Sequence, residues 1–134
     1  MSRENVEVVR LVHEAWNRDD REAALLLIHP DVAFRNPGDL FLGIESVYRG
    51  QAGVREWWTA VKEPWEYFKA HIERTLEAGD KVVTVLRFEA VGRESGARVE
   101  LPFTTVWELR GGLIVKMTAY HSLDEALEAE GLPQ

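Results

Sequence analysis

Five polar side chains in this sequence stand where strand alternation expects apolar ones, and together they hold the makings of acid–base chemistry. In "VAFRNP", Val32, Phe34 and Asn36 share one strand face, so an apolar face ends in an amide. Arg87 and Glu89 lie two apart in "VLRFEAV", on the face of Val83, Val85 and Val91, where they can pair. Thr105 interrupts the apolar run Val99, Leu101, Phe103, Trp107, Leu109. His121 ends the set Leu113, Val115, Met117, Ala119.

Taken as one interior, these faces collect Asn36, Arg87, Glu89, Thr105 and His121 among Phe34, Phe103, Trp107 and Met117, with Trp57 and Trp58 from a helix. That is an apolar pocket with few polar groups. What such a set could do there is acid–base chemistry or plain ligand binding. Each residue also has a plain structural reading. Asn36 before Pro37 can close an Asx turn. Arg87 with Glu89 can be a structural or solvated ion pair. Thr105 can be a β-former bonded to backbone, and His121 an exposed residue beside a helix cap.

Other chemistries lack their residues. There is no cysteine, which removes thiol nucleophiles and thiolate metal sites and fits a reducing cytoplasm. The histidines are scattered: His13 and His29 on helix flanks, His71 alternating with Tyr67, Lys69 and Glu73 on a solvent face. No metal and no organic cofactor is expected. No phosphate-cradling glycine loop and no nucleophile elbow occur. A formal charge of −7, from 23 acidic against 16 basic residues, opposes nucleic acid and anionic membrane surfaces as partners. No apolar run reaches the roughly eighteen residues that span a bilayer, and the N-terminus is acidic and amphipathic; the expectation is a cytoplasmic protein.

The elements that must position these residues follow from periodicity. Val6, Val8, Val9, Val12, Ala15 and Trp16 predict a first helix. Asp19 with Glu22 reads as a capping box opening a second helix through "REAALLLI", stopped by His29-Pro30. The strand with Asn36 follows, then a turn-rich but apolar stretch, "PGDLFLGIESVYRG", of a kind usually packed over something. A third helix carries Val54, Trp57, Trp58 and Val61 and ends at Pro64. Turn signals at Gly79-Asp80, Gly92 to Gly96 and Gly111-Gly112 divide residues 67–121 into a four-stranded antiparallel meander. Ser122 with Glu125 caps a last helix that Gly131 stops.

The 134 residues suit one domain, 1–134. Its class is α+β, with helices on one sheet face. Strand 82–91 is apolar on both sides, which a single helical layer does not bury, so a homodimer through the outer sheet face is expected.

The succession helix, helix, "HPDVAFRNP", "YRGQAGVREWW", "EAGDKVVTVLRFEAVGRESG", "TTVWELRGGLIVKMTAYHS", "DEALEAEGL" resembles the SnoaL-like branch of the NTF2-like superfamily over nearly the whole chain. The resemblance implies a cone-shaped α+β barrel, a curved, mainly antiparallel mixed sheet wrapped around three helices, commonly a homodimer. Its members include polyketide cyclases, ketosteroid isomerase, limonene-epoxide hydrolase, scytalone dehydratase and non-catalytic proteins, and the fold does not choose among them. The isomerase's base aspartate corresponds to Asn36, and its oxyanion-hole tyrosine and aspartate to Val12 and Thr105, so that mechanism is lost. Limonene-epoxide hydrolase is similar at Phe34-Arg35-Asn36 and Arg87-Phe88-Glu89, but its base falls on Ala119; the resemblance implies His121, two residues on, as the substitute base, with Asn36 holding the water and Glu89 giving a proton. The expected function is binding or acid–base conversion of a small, mostly apolar molecule by hydration, cyclisation or isomerisation. The alternative is a non-catalytic ligand-binding or dimerisation module.

Overall fold

A computed structural model describes residues 2–37 and 43–133. The elements are α1 (Ser2–Asn17), α2 (Arg21–Leu25), β1 (Ile28–Arg35), β2 (Val47–Arg49), α3 (Gly50–Lys62), β3 (Trp65–Ala78), β4 (Lys81–Gly92), β5 (Arg98–Arg110), β6 (Leu113–Tyr120) and α4 (Leu123–Glu130).

The stripe Val9, Val12, Ala15, Trp16 is buried, as its spacing requires. α1 ends where the Asp20 N–H returns to the Ala15 carbonyl (2.8 Å) and the Asp19 N–H to that of Trp16 (3.1 Å), with Asp19 left-handed at φ 57°. Because Asp19 closes α1, the cap of α2 moves on by one residue. The Asp20 carboxylate accepts the Ala23 N–H at 3.1 Å. α2 is also shorter than expected, and β1 already includes His29 and Pro30. The Ile114 N–H takes the Leu27 carbonyl (2.9 Å), and the Gln51 amide takes those of Leu25 (3.2 Å) and Ile28 (2.8 Å). Backbone that could have stayed helical is thus drawn toward the sheet.

The strand order is β2-β1-β6-β5-β4-β3, parallel only between β1 and β6. This is the expected α+β cone, a mixed and mainly antiparallel sheet that holds the first three helices against its inner face and is not closed. The meander of β3 to β6 and its turns fall where expected.

β5 keeps its alternation, with Phe103, Thr105, Trp107 and Leu109 inward. β6 does not. A register shift at Glu108/Leu109 pairs Leu109 with Ile114, so Ile114 is fully buried while Leu113 and Val115 are only half-buried. On β4, Val82, Thr84, Leu86, Phe88 and Ala90 face the helices, and the odd-numbered residues face outward.

The outer face has its own helical cover. Ala126 of α4 packs on Val83 and Val106, flanked by Leu76, Tyr120, Leu123 and Leu132. The ground for expecting a second copy, that no helix reaches this face, therefore fails for part of it. α4 is capped as its sequence predicts: the Ser122 hydroxyl accepts the Glu125 N–H (3.1 Å), and Gly131 at φ 70° lets the Leu132 N–H reach the Leu127 carbonyl (2.9 Å). In the apolar stretch after Pro37, Ile44 and Tyr48 are buried; Leu40, Phe41 and Leu42 lie outside the described residues.

Candidate functional site

Between the inner face of the sheet and α1 and α3 lies a cavity of about 60 Å³. That volume holds roughly four waters. Of the residues expected to form a pocket, Phe34, Asn36, Trp57, Trp58, Phe103, Thr105, Trp107 and Met117 line it. Val12 and Ala119, which the resemblance sets against an isomerase tyrosine and a hydrolase base, line it too and are aliphatic. Among the described residues none that lines it is an Asp, Glu, Lys or Arg.

The polar groups are mostly committed to one another. The Trp107 indole N–H donates to the hydroxyls of Thr105 (2.9 Å) and Thr84 (3.2 Å), which bond each other. Thr105 thus completes a buried side-chain network rather than bonding backbone. The Trp58 N–H donates to the Asp19 carboxylate at 2.9 Å, and the Trp57 N–H to the Asn36 amide oxygen at 3.3 Å. The Asn36 amide nitrogen donates to the Glu45 carbonyl at 3.4 Å, and its backbone N–H to Ser46 at 2.9 Å. Asn36 therefore ties β1 to the segment before β2; the partner that an Asx turn would use, residue 38, lies outside the described residues. One amide hydrogen and one oxygen lone pair remain uncommitted among the described contacts.

One donor has no partner. Trp16 Nε1 is the one buried side-chain nitrogen or oxygen without a hydrogen bond among the described residues, and Trp16 lines the cavity. A buried N–H left so costs about 1–3 kcal/mol.

His13, a helix-flank residue by sequence, is a buried member of the wall, 6% exposed, its ring edge-on to Trp107 with centroids 5.3 Å apart. Its Nδ1 lies 2.8 Å from the Val9 carbonyl. A carbonyl only accepts, so Nδ1 carries the hydrogen and Nε2 keeps its lone pair. Burial holds the pKa below the ordinary histidine value, against the smaller opposing effect of the Val9 carbonyl, and keeps the ring neutral. A signal for this is present in the chain: His13 follows Val9 by four residues and precedes Trp16 by three, on the same buried stripe.

Arg87, Glu89 and His121 are elsewhere. Odd parity on β4 sends Arg87 and Glu89 to the outer face, and they do not pair with each other. Arg87 reaches Glu100 (2.7 Å) and Glu73 (3.4 Å); the Glu89 carboxylate meets His71 Nε2 at 3.1 Å and Arg98. The cross-strand register sets these pairs, since Glu89 faces Glu100 and Lys69 while Arg87 faces His71 and Pro102. His121 lies just past β6 with its side chain 43% exposed and Nδ1 3.4 Å from the Glu125 carboxylate. With Asn36 inside and Glu89 outside, the expected relay has no geometry to act in. Among the described residues no three or more His, Asp or Glu gather as a metal site, and no helix is long and apolar enough to cross a membrane.

The model of the SnoaL-like domain matches residues 8–117. No curated protein matches the sequence. Among solved structures, TerC, co-crystallised with polyporic acid, is similar at 25% identity, covering 93% of this chain and 96% of its own with a TM-score of 0.80. An NTF2-like protein of unknown function from Burkholderia pseudomallei is 22% identical, with 93% and 95% covered and a TM-score of 0.81. A protein with a ketosteroid isomerase-like fold from Catenulispora acidiphila, in complex with trimethylamine, is 22% identical, with 95% and 94% covered and a TM-score of 0.75.

Proposed function

The chain belongs to the SnoaL-like domain family, and from that premise we propose that its inner cavity takes up a small, mostly apolar, neutral organic molecule. The observation that carries this reading is the cavity itself: walled mainly by aromatic and aliphatic side chains and, among the described residues, without an Asp, Glu, Lys or Arg in its wall. An ion entering it would lose its hydration with nothing to replace it, whereas an apolar body gains from leaving water. The family match and the small-molecule complex of TerC support a small organic ligand by likeness.

A second reading, base-assisted conversion of that molecule, is favoured by one observation. Among the described residues His13 is the single ionisable group in the cavity wall, and it is held neutral with Nε2 unprotonated, the state a general base needs. Isomerisation or cyclisation through one proton acceptor fits this wall better than hydration through a separate acid and base. The same reading takes residues 1–134 as one domain. It expects a second copy against the part of the outer face that α4 leaves open, which sedimentation velocity checks.

The test is a titration with toluene followed by the emission of the cavity tryptophans. A saturable change in wild type, lost in Ala119→Leu where the added side chain fills the cavity, is the expected result. Absence of any saturable change in a folded wild-type protein overturns the reading.

A further inference from the structure

The cavity makes a demand that its own walls do not meet, and the inference drawn from that demand rests on the reading of the cavity as a ligand site. Four tryptophans line it, and three donate their indole N–H to the protein, to Asp19, to Asn36 and to the threonine pair. Trp16, 7% exposed, donates to nothing among the described residues. One turn earlier on α1, His13 has spent Nδ1 on Val9 and keeps Nε2 as an acceptor. At a spacing of three residues on a helix the two side chains are neighbours, about 5–6 Å apart at Cβ.

We propose that Trp16 and His13 form the polar subsite of the cavity, and that its ligand is a neutral alcohol or phenol on a ring-sized apolar body. The hydroxyl oxygen accepts from Trp16 Nε1, and the hydroxyl hydrogen goes to His13 Nε2. A hydroxyl is the smallest group that both accepts and donates, so one ligand atom answers both wall groups. A hydrocarbon fills the same volume and leaves the indole N–H orphaned. A carboxylate could accept from Trp16, but it would bring a charge to a wall with no Lys or Arg among the described residues and would face the lone pair of His13.

The competing account is that Trp16 only packs. Its ring meets Trp58, Trp57 and Phe68 at 4.8, 5.1 and 5.3 Å between centroids, and the Lys62 ammonium lies 4.2 Å from its centre. A packing residue does not distinguish phenol from toluene, two molecules of nearly the same shape.

The experiment titrates the ¹⁵N-labelled full chain with phenol, toluene and benzoate, following affinity together with the Trp16 indole resonance, assigned by its absence from Trp16→Phe. Phenol is expected to move the Trp16 N–H downfield, toluene to bind without that shift, and benzoate not to bind. In Trp16→Phe the ratio of phenol to toluene affinity is expected to fall about tenfold, the scale of one buried hydrogen bond. His13→Phe should lower the same ratio. Toluene binding with no phenol-specific shift, or a ratio unchanged in Trp16→Phe, overturns the subsite and leaves the pocket reading intact. Failure of both phenol and toluene to bind overturns both. Where a variant does not fold, the wild-type resonance decides alone.

Discussion

The two faces of β4 and β5 carry opposite chemistries one residue apart. Inward, Thr84, Thr105 and Trp107 form a neutral, closed hydrogen-bond network beside His13, whose ring burial keeps uncharged. Outward, Arg87, Glu89, Arg98, Glu100, His71 and Glu73 form cross-strand ion pairs. Desolvation separates them. A charge on the outer face keeps most of its water or finds a partner across the strand, whereas one on the inner face would lose its water to an apolar wall. The polar residues of this chain that look most catalytic by type are therefore not those that line the cavity.

The sharpest test compares neighbours on one strand. Phe88, 1% exposed, stacks on Phe68 with centroids 5.0 Å apart and meets Phe103 edge-on at 5.3 Å. Phe88→Ala is expected to cost about 3–5 kcal/mol in urea unfolding. Arg87→Ala, one residue away, is expected to cost under about 1 kcal/mol. Similar losses at the two positions would break the distinction between the faces.

Within the inner network the expected loss is smaller. Thr105→Val keeps the shape and removes one hydroxyl; Trp107 retains its bond to the Thr84 hydroxyl at 3.2 Å, which loses only its bond to Thr105. A loss of about 1–2 kcal/mol in the same measurement is expected. A neutral result would mean that water replaces the missing hydroxyl.

How much of the fold and of the cavity is legible in sequence depends on whether a residue's phase is tied to its neighbours. β5 is readable because Phe103, Thr105, Trp107 and Leu109 alternate against polar residues, so Thr105 can be assigned inward. β4 is apolar on both sides, and parity alone does not say which side meets helices; Arg87 and Glu89 follow Val83 and Val85 to the outer face, not the inner one expected. β6 reads in phase through Val115, but the register shift beside Leu109 puts Ile114 in the core. His121 inherits an inward direction from that reading although β6 stops at Tyr120. His13 is legible only in part, since a buried stripe containing one histidine looks like a flank unless its i, i+3 and i+4 neighbours are weighed together.

The third test sets the pH dependence of the inner face apart. The folded pKa of His13 is depressed, so native His13 stays neutral while unfolded chains bind a proton below about 6.5. The unfolded state then holds more protons. Stability attributable to His13 is complete above that pH and is lost as pH falls toward the folded pKa, with a limiting slope of roughly 1.4 kcal/mol per pH unit. His13→Phe, which keeps a ring against Trp107, is expected to remove that slope. The carboxylates with depressed pKa, such as Asp19 and Glu130, act at lower pH, where they must be protonated, so the two windows separate. An unchanged slope in the variant would mean that His13 takes its proton without unfolding the chain.

The smallest expected effect belongs to the residue that the sequence placed at the centre of the chemistry. Glu89→Gln removes the carboxylate shared by His71 and Arg98. Its side chain is 13% exposed, but Arg98 is 64% exposed and His71 38%, so both partners can turn to water when the charge is lost. The expected cost is about 1 kcal/mol or less, falling as salt is raised, because exposed partners are screened. Binding of toluene and phenol is expected to match wild type, since β4 itself separates Glu89 from the cavity. A Glu89→Gln protein that unfolds normally but loses ligand binding would reverse the comparison: the ion pairs of the outer face would then be setting the shape of the inner one, with β4 as the element that transmits it.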